Sequence, residues 1–322
     1  PRVFDRDLVV IGAGSGGLVA SLIAATAKSS VTLIEKNKMG GDCLNTGCVP
    51  SKALIRSARF AFDQRHGSRL GFIDLDPDVN FSAVMARVHR VISTIEPHDS
   101  PERYRGLGVD VELGLGEILS PWEVRVNGKV LTTRNIIIAT GGEPFVPFIE
   151  NIDQIEFLTS ETIWRLQELP KRTVVLGGGP IGTELTQALS RLGSDVTQVE
   201  VLPTILPMED AEFSAMVQSQ LESEGVKVLT GQRAKAVEVS GQNKTLILVN
   251  AEGSQSLIEF DKLIIALGRQ AKTSGFGLEA LGVELNPNGT VVVDDFLRTN
   301  FPNIYAIGDV AGPYQFTHTA SH

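Results

Sequence analysis

One pattern occurs twice in this chain, and few folds can hold it even once. The first copy starts at Leu8-Val9-Val10-Ile11, a short apolar run that reads as a buried parallel strand. Gly12-Ala13-Gly14-Ser15-Gly16-Gly17 follows at once, then a helical pattern from Leu18 to about Ala27. A second strand, Val31-Thr32-Leu33-Ile34, ends on Glu35. The second copy runs Thr173-Val174-Val175-Leu176, then Gly177-Gly178-Gly179-Pro180-Ile181-Gly182. A helix to about Leu192 follows, and the strand Asp195 to Val199 ends on Glu200. Gly12, Gly14, Gly17 and Glu35 correspond to Gly177, Gly179, Gly182 and Glu200, with the same spacing from last glycine to acid.

The chemistry of the pattern is local. The first glycine permits a tight turn, the second lets the backbone approach a pyrophosphate, and the third lets the helix pack on the strand. Unpaired amides at the helix start face the phosphates, and the acid accepts hydrogen bonds from ribose hydroxyls. A lone glycine fingerprint is often just a tight turn; with its strands and acid in place it predicts a dinucleotide site, and its repetition predicts two. Glu200 suits a free ribose 2′-hydroxyl and repels a 2′-phosphate, and Val201, Leu202 and Pro203 supply no arginine behind it. The second site is therefore expected to take NADH in preference to NADPH.

The two cysteines of the chain, Cys43 and Cys48, both lie in Gly40-Gly41-Asp42-Cys43-Leu44-Asn45-Thr46-Gly47-Cys48-Val49-Pro50-Ser51-Lys52. Two small buried thiols are the usual reading of cysteine. Against it, a chain with no other cysteine has no disulfide framework to build, and a single short-loop pair is more often catalytic. Thiols this close can form a disulfide if the first sits at a helix entrance and the second one turn in. The segment resembles the redox-active disulfide of the class I pyridine nucleotide–disulfide oxidoreductases, which include dihydrolipoamide dehydrogenase, glutathione reductase and mercuric reductase.

The resemblance extends over the whole chain and implies both a fold and a set of site residues. The implied fold is α/β, with two Rossmann-like domains of the glutathione-reductase kind, each carrying a small β-meander. By the same resemblance, residues 1–146 and 272–322 form a discontinuous FAD-binding domain, and 147–271 an NAD-binding domain. Asn135 to Gly142, with Thr140 and Gly141, is expected to lie against the flavin. Asp261 to Arg269, with Gly268, echoes that strand and ends the nicotinamide domain. Thr299 to Asp309 matches a second flavin motif, in which Gly308 precedes Asp309 on the ribityl chain. Gly41 and Asp42 are expected at the flavin pyrophosphate. The family pattern makes Cys48 the thiolate nearer the flavin, and Cys43 the interchange thiol. Lys52, one helical turn after Cys48, is expected to pair with Glu184 beside the flavin's central-ring nitrogen. Electrons would then pass between NADH and a small-molecule or protein disulfide through FAD and the cysteine pair.

Several positions depart from the family pattern. Asp42 replaces a usual threonine. Ala271-Lys272 replaces a usual Pro-Asn. Pro180 stands where many relatives carry a tyrosine over the nicotinamide pocket, which would leave the flavin more open to oxygen. The sequence also stops after the second flavin motif, so the C-terminal dimerisation domain and its His–Glu pair are expected to be absent. This chain should then bind both cofactors but exchange dithiols poorly, and the full-length form would be a homodimer. Alternative readings are an NADH oxidase or diaphorase using quinone or oxygen, and a redox-sensing flavoprotein.

Composition narrows the remaining classes. At 322 residues the chain can hold two domains with real cores, and 42% hydrophobic residues with ordinary charge content reads as globular. A net charge of −9 argues against nucleic acid as partner. No apolar run approaches a membrane span and no signal peptide opens the sequence, so a reducing, cytoplasmic setting is expected. No metal ligands are expected. From Pro50 a helix is predicted through Ala53, Leu54, Ile55, Ala58 and Phe60, with Arg56 and Arg59 off its apolar stripe. A further helix is predicted over Phe81 to Ile95, after a loop from Gly67 to Asn80. Alternation around Asn127-Gly128 predicts a hairpin from Glu123 to Leu131. Strands are predicted at Thr245 to Val249 and Leu257 to Phe260. Gln315 to His322 should begin a helix that faces the flavin pyrimidine, with His318 in a packing or backbone-positioning role, while His66, His89 and His98 read as solvated.

Overall fold

The computed structural model describes residues 3–322. The chain forms two compact units. The first holds the residues up to Asn45 together with Ile92–Glu143 and Arg269–His322; the second holds Thr46–Val91 and Pro144–Gly268.

The first unit is built on a seven-stranded sheet. Its parallel part runs Asp110–Leu113, Val31–Glu35, Arg6–Ile11 and Lys129–Ile138, with Ile304–Ala306 also parallel to Lys129–Ile138. Val9, Val10, Leu33, Ile34, Ile136 and Ile138 are buried, as continuous apolar runs in a two-faced parallel sheet require. Each such side chain stabilises the fold by about 1.5–3 kcal/mol. Lys129–Ile138 is long enough to serve two purposes. Its first half pairs antiparallel with Glu123–Val126, which pairs in turn with Glu117–Ser120, and this is the meander of the first unit. The hairpin turns at Asn127 (φ 49°) and Gly128 (φ 77°), the left-handed pair that an Asn-Gly turn needs.

The second unit repeats the plan. Its five parallel strands run in the order Lys227–Leu229, Asp195–Val199, Arg172–Leu176, Lys262–Ile265 and Leu158–Thr159. A separate antiparallel meander consists of Gln232–Ser240, Asn243–Asn250 and Gln255–Phe260. Val237, Leu246, Leu248 and Phe260 from the meander join Val174, Leu176 and Leu263 in one core cluster. The predicted α/β class, with two Rossmann-like units and a meander in each, is what the chain adopts. The strand Gln232–Ser240 lies outside the predicted elements. It is an edge strand, mostly half-exposed or exposed, and a register shift at Ala234/Ala236 breaks its alternation.

The helices start where the glycine turns place them. Ser15–Thr26 follows Gly14, and Pro180–Leu192 follows Gly179. Neither helix has a side-chain cap, so the first-turn amides stay available to an anion. Phe81–Ile95 is helical as predicted. The cysteine segment differs from expectation. It does not form one helix with the second cysteine a turn inside. Gly41–Asn45 is a short helix containing Cys43, the chain breaks at Thr46 and Gly47, and a longer helix Cys48–Arg65 begins on the second cysteine. Arg56 and Arg59 lie on its exposed side as predicted, but Phe60 is 56% exposed and Phe62 takes the buried place instead. His66 is not solvated: its ring stacks on Phe62 at 4.1 Å and Nδ1 lies 2.8 Å from the Phe62 carbonyl. His89 is exposed as expected, with Nε2 3.0 Å from the Trp164 carbonyl.

Candidate active site

In the first unit the glycine turn is a cradle that side chains would fill. A Cβ on Gly17 would collide with the Gly12 carbonyl, and one on Gly12 (φ 105°) with the Ala139 carbonyl. The positions therefore admit only glycine. A Cβ on Gly41 would come within 2.5 Å of Gly14 Cα, so these two glycines form a single floor before the helix amides. Glu35, at the end of its strand, is buried. One of its carboxylate oxygens accepts from Ala13 N at 2.7 Å and the other from Asn37 N at 2.7 Å.

The second unit reproduces the turn and its acid. A Cβ on Gly182 would meet the Gly177 carbonyl, and one on Gly177 (φ 115°) the Ala266 carbonyl. Glu200 is 6% exposed and accepts from Gly178 N at 2.5 Å and Leu202 N at 2.8 Å. Each acid thus fixes its own turn through two backbone amides, a role that the sequence pattern does not disclose. A carboxylate has about four acceptor sites, so each retains capacity for ribose hydroxyls. Gln198 is a further buried polar residue here. Its Nε2 donates to the Gly177 carbonyl at 3.0 Å and to Thr183 Oγ1 at 3.1 Å. Leu33 stands at the corresponding place in the first unit, which is why the repeat carries no signal for it.

The remaining expected site residues fall into two groups. In the second unit, Lys52 Nζ donates to both carboxylate oxygens of Glu184, at 2.8 and 2.7 Å. These residues come from the Cys48–Arg65 and Pro180–Leu192 helices, which pack together within that unit. Cys48, at the first position of its helix, is exposed. Trp164, which no sequence motif marks, anchors the segment just before it: the indole N–H donates to the Thr46 carbonyl at 2.8 Å. Gly268, three residues beyond the strand Lys262–Ile265, has φ 108°, with open space where a Cβ would be.

In the first unit, Cys43 is half-buried in its short helix. Asp42, beside it, receives a hydrogen bond from Arg269, whose Nη2 also donates to the Gly142 carbonyl at 2.7 Å. Arg269 Nε lies 3.6 Å from Asp309 Oδ2. Burial pushes the Asp309 carboxyl above its ordinary value, the Arg269 guanidinium pulls it down, and the Asp42 charge raises it. Gly308 turns the chain before Asp309 at φ 73°. Gly141 (φ 68°) accepts from Lys272 N at 2.9 Å and Thr140 Oγ1 donates to the Lys272 carbonyl at 2.7 Å, so Ala271-Lys272 is tied down without the usual Pro-Asn. The terminal helix is short, Thr317–Ser321, and His318 is exposed, so it does not take the expected packing role.

The first unit fits a flavin dinucleotide: a side-chain-free glycine floor, uncapped helix amides, a strand-end acid and a half-buried Asp309 at the second motif. A nucleotide-binding turn in each unit, in a chain that also carries one closely spaced cysteine pair, points to a flavin-dependent, pyridine-nucleotide-linked class of enzyme.

Comparison with known proteins agrees. The model of the pyridine nucleotide-disulphide oxidoreductase family matches residues 6–322. A dihydrolipoyl dehydrogenase from Chlamydia pneumoniae is 38% identical over 99% of this chain and 68% of its own length. A mercuric reductase from Lysinibacillus sphaericus is 32% identical over 99% of this chain and 58% of its own. The solved structure of the HOCl-induced flavoprotein disulfide reductase RclA from Escherichia coli superposes with a TM-score of 0.85, at 28% identity over 98% of this chain and 68% of that one. The chain belongs to the class I pyridine nucleotide–disulfide oxidoreductases, a family of FAD- and NAD(P)H-dependent enzymes acting on disulfides. Among the described residues no helix is long and apolar enough to cross a membrane.

Proposed function

We propose that this chain moves electrons between NADH and a disulfide or dithiol substrate by way of FAD and the Cys43–Cys48 pair. The observation that carries the reading is the arrangement around the cysteines. Cys43 sits two residues after the Gly41 that floors the first nucleotide turn, and Cys48 opens the helix that holds Lys52 against Glu184. Bound FAD would supply the two-electron chemistry that side chains lack, taking hydride from nicotinamide and delivering electrons to sulfur. The glycine turns and their acids bind and orient the two dinucleotides. Cys48 is the thiol nearer the flavin, and Cys43 serves as the interchange thiol. In the reducing direction the Cys43 thiolate attacks a substrate disulfide, one substrate thiol leaves with a proton, and Cys48 displaces the second as the Cys43–Cys48 bond forms. Lys52, steadied by Glu184, places positive charge where hydride arrives.

The assignment of residues 1–146 and 272–322 to flavin binding and 147–271 to nicotinamide binding belongs to this proposal. So do Thr140, Gly141, Gly268 and Gly308 as cofactor contacts, a cytoplasmic setting and a homodimeric full-length form. Preference for NADH rests on buried Glu200 and on the absence of a cation at Val201, Leu202 and Pro203. Cys43→Ser and Cys48→Ser test the reading. Each should abolish NADH-dependent disulfide reduction while sparing NADH-dependent reduction of a quinone. Retention of disulfide reduction by both variants would contradict it and leave a diaphorase.

A further inference from the structure

Three charged side chains of the first unit converge beside its glycine turn. The Arg269 side chain is 13% exposed, Asp309 19% and Asp42 42%. Arg269 is shared between the Asp42 carboxylate, the Gly142 carbonyl and, at 3.6 Å, Asp309 Oδ2. Asp42 follows Gly41, the glycine packed on Gly14, so an extra carboxylate stands next to the floor on which a pyrophosphate would rest. Lys272 is the other cation acting on Asp309. The remaining acid of the turn, Glu35, has both oxygens engaged by backbone amides. A single guanidinium already serves two carboxylates here, and a dinucleotide pyrophosphate brings two further negative charges to the same turn.

We infer that Asp42 is an internal competitor for the flavin pyrophosphate: it engages Arg269 in the flavin-free chain, weakens flavin binding, and couples that binding to uptake of a proton by the Asp309 carboxyl. The inference rests on the flavin reading of the first unit and adds to it the control of cofactor retention. Asp309 is the proton acceptor, since burial and the Asp42 charge both raise it while Arg269 and Lys272 oppose them. An arriving anion raises the Asp309 carboxyl further. Groups whose protons are held more tightly in the complex take up protons on binding, so affinity rises as pH falls through the carboxyl range.

Calorimetric titration of FAD into flavin-stripped protein tests this, using Asp42→Asn, which keeps the shape, and Asp42→Thr, which restores the family residue. Both variants should bind about tenfold more tightly at neutral pH, the effect of one charge removed at effective protein dielectric. Repeating the titration in buffers of different ionisation heat should show proton uptake by the wild type and less by both variants. Unchanged or weaker binding in both variants, or undiminished proton uptake, overturns the inference alone. If folded wild type and both variants all fail to bind FAD, the flavin reading itself falls. Binding by the variants but not by the wild type would be the strongest form of the expected result.

Discussion

Lys52→Ala is expected to slow flavin reduction by NADH while leaving the fold nearly intact. Lys52 Nζ reaches both Glu184 oxygens at 2.8 and 2.7 Å, yet the two side chains keep 61% and 40% of their surface exposed. An ion pair so open to water contributes about 1 kcal/mol or less to folding. The thermal midpoint should then fall by no more than about 4 °C. The rate responds to a different quantity. A positioned donor aimed at developing charge is worth roughly 10²–10³ in a dry site. Screening at the exposure seen here reduces that to about tenfold, or ~1.4 kcal/mol. Anaerobic stopped-flow reduction of the holoprotein by NADH measures it directly. Glu184→Gln, which leaves the ammonium in place but less firmly held, should cost less than Lys52→Ala. An unchanged rate in Lys52→Ala refutes the role. So does a slow rate accompanied by a fall of about ten degrees or more, well beyond what a solvated ion pair accounts for, which would mean that the helix pair had been damaged.

Other outcomes follow from the same geometry. Glu200→Ala removes the acceptor of the Gly178 and Leu202 amides and the barrier to a 2′-phosphate, so the ratio of kcat/KM for NADH over NADPH should fall at least about tenfold; steady-state kinetics with an unchanged ratio would remove the basis for the NADH preference. Asp309 is held above its ordinary value by burial, so its contribution to folding is complete below the unfolded-state value near about 3.9 and is lost as pH rises through the folded one. Flavin-stripped Asp309→Asn should therefore gain thermal stability relative to wild type as pH rises from about 4 to about 7; a difference constant with pH, measured by calorimetry, would contradict this.

The parts of the fold and site that the sequence disclosed are those fixed by neighbours in the chain. Gly17 and Gly182 are dictated by the Gly12 and Gly177 carbonyls of their own turns, so that part of the pattern is complete within one short segment, whereas Gly12 and Gly177 also meet the Ala139 and Ala266 carbonyls of sequence-distant segments. The pairing of Lys52 with Glu184, 132 positions apart, was expected only from the family resemblance. The Arg269–Asp42 contact joins residues 227 positions apart, and neither motif announces the other. Asp42 was visible as a departure, but its partner was not. Trp164 and Gln198 act through backbone carbonyls, which leaves no pattern of residue types to read. Gln232–Ser240 escaped because an exposed edge strand needs no apolar alternation.

The central claim is that nicotinamide electrons reach the cysteine pair through a flavin. Anaerobic titration of the purified holoprotein with NADH tests it most directly. After two electrons the account predicts a long-wavelength absorption band from the Cys48 thiolate against oxidised flavin, lost in Cys48→Ser. Direct bleaching of the flavin with no such band in the wild type would contradict it, as would a folded protein that stays colourless when FAD is added.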